Sequence, residues 1–334
     1  MLRAPRFWWR DQPTLLARLL QPLGFLYGRT TLRRMRQPGT DAGLPVICVG
    51  NFIAGGAGKT PTAIAIANLL EERGEKPFVL MRGYGGRLAG PVEVDPNHHG
   101  AADVGDEPLL MARHARTVIA RDRVAGARLA RGLGASVVVM DDGLQNPSLV
   151  KQLKLAVVDG ASGAGNGLCL PAGPLRAPLT EQMGEADAII VIGPGSAGER
   201  VAAVARAQKK PVLAATLKPA DAAIERLRGQ EVLALSGIGR PEKFAATLRE
   251  AGATVAAEQA HGDHHAYRQN DVAAALAAAH EHSALIATTE KDWTKLAPLW
   301  PEDAREALVV VPVSLVFTEP AAIAGLLASL GKTG

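Results

Sequence analysis

Residues 46–62, VICVGNFIAGGAGKTPT, set an apolar strand, a glycine-rich turn and a helix-opening Lys59-Thr60 in immediate succession. Folds that accept this order are those in which a strand feeds a helix through a tight turn, the helix N-terminus facing whatever sits at the strand's end. Gly55, Gly56 and Gly58 carry no Cβ, so the backbone there can turn its N–H groups inward and approach an anion closely. The first helical turn adds unpaired N–H groups and partial positive charge. Lys59 is long enough to reach the outer phosphates of a nucleotide, and the Thr60 hydroxyl suits Mg²⁺. The pattern G-x-x-x-x-G-K-[ST] is met only at its Gly58-Lys59-Thr60 end, because Ile53 stands where the first glycine would fall. Gly50 and the pair Gly55-Gly56 are taken as its substitutes. A dinucleotide fingerprint fits worse: starting G-x-G-x-x-G at Gly56 puts Pro61 at the third glycine and leaves Lys59 without a task.

Around this segment, apolar runs alternate with helical stretches: strands at 78–83, 117–120, 136–142, 155–160 and 188–193, helices at 59–73, 107–115 and 122–132. Strands separated by helices form a parallel, doubly wound α/β sheet. A second series follows a change of character near 215–230, with strands at 231–237, 254–259, 284–289 and 309–314 and helices at 241–251, 270–281 and 320–330. The expected organisation is therefore an N-terminal helical segment (1–40), a nucleotide-binding domain (41–215), a linker (216–230) and a smaller Rossmann-like α/β domain (231–334). A length of 334 residues favours two domains over one core, and 47% apolar content excludes a disordered chain. Two cysteines, Cys48 and Cys169, indicate neither a disulfide framework nor a cysteine zinc site. With no apolar run of about 18 residues and no cleavable leader, a chain neither exported nor membrane-spanning is expected.

Charge is concentrated at the start. The first 40 residues hold Arg3, Arg6, Arg10, Arg18, Arg29, Arg33, Arg34 and Arg36 against Asp11 alone, amid Trp8, Trp9, Leu15, Leu16, Leu19, Leu20, Phe25 and Leu26. Such a mixture suits an anionic membrane surface, where each arginine adds about 1 kcal/mol; an amphipathic helix pair docked on the core with solvated arginines is the alternative. Nucleic acid is not expected as a partner, since the net charge is only +4 and no recognition motif occurs.

Chemistry-bearing residues cluster where strands end. Asp141 and Asp142 close SVVVM beside the phosphate loop, where an acid that organises Mg²⁺ is expected. Asp106 and Glu107 open a helix, either as caps or as site acids. Arg82 and Arg87, in RGYGGR, offer guanidinium groups to a phosphate or sugar phosphate. His261, His264 and His265 crowd a loop after a strand, with a catalytic or orienting histidine preferred over zinc. Lys291-Asp292 ends another strand and suits a purine base or an adjoining domain, with an exposed ion pair as the alternative.

Taken in order, VGNFIAGGAGKTPT, RGYGG, VGDEPLL, DDGLQN, PAGPLRAP, GDHHAY and TTEKD resemble the tetraacyldisaccharide 4′-kinase family over nearly the whole chain. The resemblance implies two Rossmann-like domains and transfer of the γ-phosphate of ATP, with Mg²⁺, to the 4′-hydroxyl of a lipid disaccharide 1-phosphate. It also implies a cytoplasmic site on the inner membrane of a Gram-negative cell and no obligate protein partner. By the same resemblance Gly55, Gly56, Ala57, Gly58, Lys59, Thr60 and Pro61 hold the nucleotide's phosphates, with Lys291 and Asp292 as further nucleotide contacts. Asp106 becomes the general base, supported by His264; Thr60, Glu107, Asp141 and Asp142 become the metal set; Asn51, Arg82, Tyr84, Gln145 and Arg176 face the acceptor. Asn146 departs from the family's usual histidine and Leu144 from its phenylalanine. A phosphotransferase or NTPase acting on a soluble metabolite leaves the basic amphipathic start unexplained, and a nucleotide-gated regulator leaves the GDEP acids and the histidine loop unexplained.

Overall fold

The computed structural model describes residues 4–263 and 265–328. Helix α1 (Leu15–Met35) comes first, followed by β1 (Val46–Asn51), α2 (Lys59–Glu71), β2 (Pro77–Met81) and β3 (Val92–Glu93). Then come α3 (Ala101–Val104), α4 (Asp106–Met111), β4 (Thr117–Ile119), α5 (Arg123–Gly132), β5 (Val137–Asp141) and β6 (Leu153–Asp159). The chain continues through α6 (Leu179–Gly184), β7 (Ala188–Ile192), α7 (Ser196–Ala207), β8 (Val212–Pro219), α8 (Asp221–Leu227), β9 (Glu231–Ser236) and α9 (Pro241–Glu250). It ends with β10 (Thr254–Ala260), α10 (Gln269–Glu281), β11 (Leu285–Thr289), α11 (Glu290–Leu296), β12 (Leu308–Val311), β13 (Val313–Phe317) and α12 (Pro320–Ala328).

Nine strands form one sheet in the order β13-β8-β7-β6-β1-β5-β2-β4-β3, and four form a second, β10-β9-β11-β12. All pairs are parallel except the edge pairs β13–β8 and β3–β4. Strand β1 is apolar at successive positions because both faces are covered, as parallel sheets require. Ile47 and Val49 pack on one side with Ala63, Ile66, Ala67 and Leu70, the inward stripe of α2, and Cys48 packs on the other with Phe52 and Leu144.

The doubly wound sheet agrees with the sequence reading, but the division along the chain does not. Strand β8 stays in the large sheet to Pro219, and α8 buries Ala223 and Leu227 in the core of the small sheet, so 216–230 holds the end of β8 and all of α8 rather than a linker. The apolar run expected as one strand at 309–314 is interrupted at Pro312, which has no N–H for a ladder. Before it β12 pairs with β11; after it β13 pairs antiparallel with β8, and Ile323 and Leu327 of α12 join the large core. The smaller unit thus runs from about α8 to β12, and residues 313–328 belong to the larger one.

The two units meet through ion pairs. On one side the buried Asp159 accepts from Arg240 Nη1 at 3.0 Å, from Lys243 Nζ at 2.9 Å, and from Arg240 Nη2. Burial alone would raise its pKa, yet these two cations outweigh that and hold the carboxyl well below the usual carboxylate range. A depressed acid stabilises the fold at pH values above its unfolded pKa, and that contribution disappears as pH falls through the folded value. Asp159→Asn is expected to lower stability at pH 7 by about 1–2 kcal/mol, since both cations remain partly solvated. Denaturant titrations should show the gap to the parent narrowing as pH falls below about 5 and still narrowing at about pH 2, because the folded carboxyl titrates so far below its usual range; a gap that does not change with pH would count against the ion pair as its cause.

Candidate active site

The phosphate loop is built by the end of β1 and the start of α2. Gly58 sits at φ +89°, a backbone conformation that L side chains rarely adopt, so the turn itself demands glycine there. No side chain caps α2, which leaves the N–H groups of its first turn open to an anion. Lys59 Nζ reaches Gly55 O at 3.4 Å and lies 3.8 Å from Asp142 Oδ1. Ile53 occupies the place of the missing first glycine because the loop is pinned there by a neighbour. It is buried and bridged to Leu175, with Ala54 N–H donating to Pro174 O and Arg176 N–H to Phe52 O. The PAGPLRAP segment therefore braces the loop. Gly50 is no substitute for that glycine: it lies within β1, where a Cβ would come 2.6 Å from Leu144 Cβ.

Strand β5, paired with β1, delivers the acids to the same edge of the sheet. Asp142 adopts φ +51°, which ends the strand one residue earlier than the apolar run suggests. Arg176 grips it with Nη1 at 2.8 Å and Nη2 at 3.0 Å. Burial works against the Asp142 carboxylate, but Lys59 and Arg176 overcome it and hold the pKa below its ordinary value. Asp141 behaves oppositely: burial, aided by Glu107 and Asp142 and opposed by Lys59, pushes its carboxyl up to about 7. Asp141 Oδ1 and Asn51 Oδ1 are both buried without a hydrogen-bond partner among the described residues. Two unpartnered acceptors beside a lysine and a second acid fit a hard divalent cation such as Mg²⁺, which takes oxygen donors.

Helix α4 contributes Asp106, buried, with Oδ1 accepting from Glu107 N–H at 3.0 Å. Facing it is α11 of the smaller unit. Lys291 Nζ lies 3.3 Å from Glu107 Oε1 and 3.1 Å from Asp263 Oδ1; Lys295 Nζ lies 3.7 Å from Asp106 Oδ2; His114 Nε2 and Glu290 Oε1 are 2.7 Å apart. Burial would lower the Lys291 pKa, but Glu107, Asp263 and Asp106 together raise it. The site is thus lined from both units.

Residues 16–331 match the family described as tetraacyldisaccharide-1-P 4′-kinase. The chain belongs to that family. The tetraacyldisaccharide 4′-kinase of Methylobacterium nodulans is 54% identical over 332 residues, covering 99% of this chain and 97% of its own length. That of Rhodopseudomonas palustris (strain BisB18) is 53% identical over 324 residues, covering 96% and 94%. The fold is shared with LpxK from Aquifex aeolicus, crystallised in complex with ATP, at a TM-score of 0.72 and 24% identity over 95% of this chain and 99% of that one.

Within this 4′-kinase chain the residues singled out from sequence divide into groups. Gly55, Gly56, Ala57, Gly58, Lys59, Thr60, Pro61, Asn51, Asp106, Glu107, Asp141 and Asp142 gather at one end of the large sheet, and Arg82 and Tyr84 are exposed just beyond β2. Gln145 donates to Asn51 O at 2.8 Å and accepts from Arg176 Nη1 at 3.0 Å, so both side chains are engaged in bracing the acids. Asp292 is fully buried, its Oδ2 accepting from Gly237 N–H at 2.9 Å and from the Thr289 hydroxyl at 2.7 Å; this differs from the nucleotide contact expected of it. His264 lies outside the described residues.

His261 and His265 stack at 4.3 Å with planes 15° apart, and His265 Nε2 meets Asp271 Oδ2 at 3.1 Å. A zinc ion must lie near the plane of each ring that binds it, and near-parallel stacked rings do not offer one shared point, so this placement disfavours zinc. Asn146 caps a turn by accepting from Ser148 N–H at 2.8 Å, a local duty independent of the family's histidine. Lys295 escaped the sequence reading, and Asp263 figures in it only as part of the GDHHAY motif. Lys295 stands one helical turn after Lys291 on α11, and Asp263 precedes the histidine pair, so i,i+4 spacing and proximity to the motif were the available signals.

Proposed function

We infer that the chain is an ATP-dependent kinase that transfers the γ-phosphate of MgATP to the 4′-hydroxyl of a tetraacyldisaccharide 1-phosphate, a step of lipid A synthesis. One observation carries this reading: a phosphate loop, two strand-end acids and the Asp106-Glu107 pair converge at one sheet edge in a chain that matches the family from residue 16 to 331. ATP consumption measured with the lipid disaccharide, with a soluble sugar phosphate and with no acceptor tests it. Hydrolysis at the same rate in all three would defeat it.

Phosphoryl transfer asks the protein mainly for alignment and charge stabilisation. In this reading Lys59 and the N–H groups of α2 hold the triphosphate, and Asp106 accepts the proton of the attacking hydroxyl. Thr60, Glu107, Asp141 and Asp142 would hold Mg²⁺, which would neutralise charge on the phosphates. Arg176 and Gln145 fix Asp142, and Lys291 ties Glu107 to the smaller unit. We therefore reassign these three from direct ligand contact to support, and the fully buried Asn51 from the acceptor to the cation's side of the site, leaving Arg82 and Tyr84 as acceptor contacts.

The same reading places the acceptor, and the protein, at the anionic cytoplasmic face of the inner membrane. No helix among the described residues is long and apolar enough to cross a membrane. Support for peripheral attachment comes from how α1 docks. Its small residues face the body: a Cβ on Gly24 would meet Cys169 O at 2.7 Å, and one on Gly28 would meet Cys169 Sγ at 2.8 Å. Its large residues face out, with Leu15 75%, Leu19 70%, Leu23 56% and Leu26 63% exposed, among Arg18, Arg29 and Arg33. Trp9 joins this surface, whereas Trp8 is tied to Pro171 O through Nε1 at 3.0 Å. Combining Leu19→Glu, Leu23→Glu and Leu26→Glu should weaken binding to vesicles containing anionic phospholipid by about 30-fold or more while ATP affinity stays unchanged. Equal sedimentation of variant and parent with such vesicles would refute the attachment.

A further inference from the structure

Lys295 is the one lysine in the cleft with no hydrogen-bond partner among the described residues, although its ammonium group is buried. A desolvated ammonium is costly, and an apolar side chain would fill the same space more favourably. Its surroundings supply a purpose. Asp292 Oδ1 lies 3.4 Å away on the preceding turn of α11, and Asp292 is itself immobilised by Gly237 N–H and the Thr289 hydroxyl. The ring of Tyr267 lies on another side, its centroid 5.3 Å from Nζ. The ammonium is thereby anchored on the smaller unit, facing Asp106 Oδ2 at 3.7 Å across the cleft.

We propose that Lys295 is a positioning residue for phosphoryl transfer: held by Asp292, it fixes the orientation of the Asp106 carboxylate from the opposite unit. Glu107 N–H holds Oδ1 at 3.0 Å from within α4, and Lys295 faces Oδ2, so the carboxylate is constrained from two sides. The smaller unit then completes the catalytic geometry when it is seated against α4. The inference rests on the reading of Asp106 as the base.

Full-length Lys295→Met, Lys295→Arg, Asp106→Asn and the Lys295→Met/Asp106→Asn pair, assayed with MgATP and the lipid disaccharide, test it. Lys295→Met should lower kcat roughly 10- to 100-fold with ATP affinity unchanged, the range expected for a misplaced reacting group. Lys295→Arg should recover to within about fivefold of the parent, and Lys295→Met should cost no more than about twofold on the Asp106→Asn background. Full turnover in Lys295→Met, an equal loss on both backgrounds, or a fall in kcat matched by lost ATP affinity would overturn the proposal while leaving Asp106 in place. Undiminished turnover in Asp106→Asn would remove the base assignment and this inference together. Should Lys295→Met fail to fold, Asp292→Asn serves: it keeps an acceptor for Gly237 N–H but removes the anchoring charge. It should show the same selective loss of kcat, and an unchanged kcat would overturn the proposal.

Discussion

Lys59→Ala is expected to lower kcat by about three orders of magnitude or more, the largest effect of any single substitution in the site. Two losses combine. The ammonium no longer stabilises charge that develops on the transferring phosphoryl group. The acids also lose the cation that opposes their desolvation, since Lys59 works against burial at both Asp141 and Asp142. The Asp141 carboxyl, already pushed up to about 7, would rise further, and Mg²⁺ would have to displace its proton. Single-turnover rates with saturating MgATP, together with Mg²⁺ titrations, read the two losses separately. A kcat within about tenfold of the parent would remove Lys59 from the catalytic step.

The second large effect is at Asp106. Asparagine there keeps the shape of a buried side chain and an acceptor for Glu107 N–H, but cannot take a proton. Turnover should drop by about 10²- to 10⁴-fold, the usual contribution of a general base, with little change in ATP affinity because the phosphate loop is untouched. A parallel loss of nucleotide binding would mark Asp106 as structural. Retained turnover would pass the proton to another group.

Much of this architecture could be read from the chain because parallel strands covered on both faces have no polar positions. Residues 46–50, 155–160 and 188–193 all appear as near-unbroken apolar runs for that reason. The strands that escaped or were misdrawn lie at the rim of the sheet. Residues 212–219 are buried only at Leu213 and Ala215, and the run at 309–314 looks continuous although Pro312 divides it between two sheets. Site residues were legible where the backbone itself makes the site, as at Gly58-Lys59-Thr60. What could not be read is a side-chain partner that lies far along the chain: Arg176 on Asp142, Gln145 on Asn51, and Asp292 under Gly237. Periodicity says which face a residue occupies, but not which distant loop will meet it there. The occupancy of the first motif position by Ile53 follows the same rule, since only the bridge to Leu175 explains it.

The pairing of Val313 with Pro219 puts both covalent passages between the units side by side. Both passages leave through one strand pair, so the smaller unit is attached to the larger along a single line rather than at two separated points. Lys291 and Lys295 lie one turn apart on α11, so any turning of the smaller unit about that line shifts both together relative to Glu107 and Asp106.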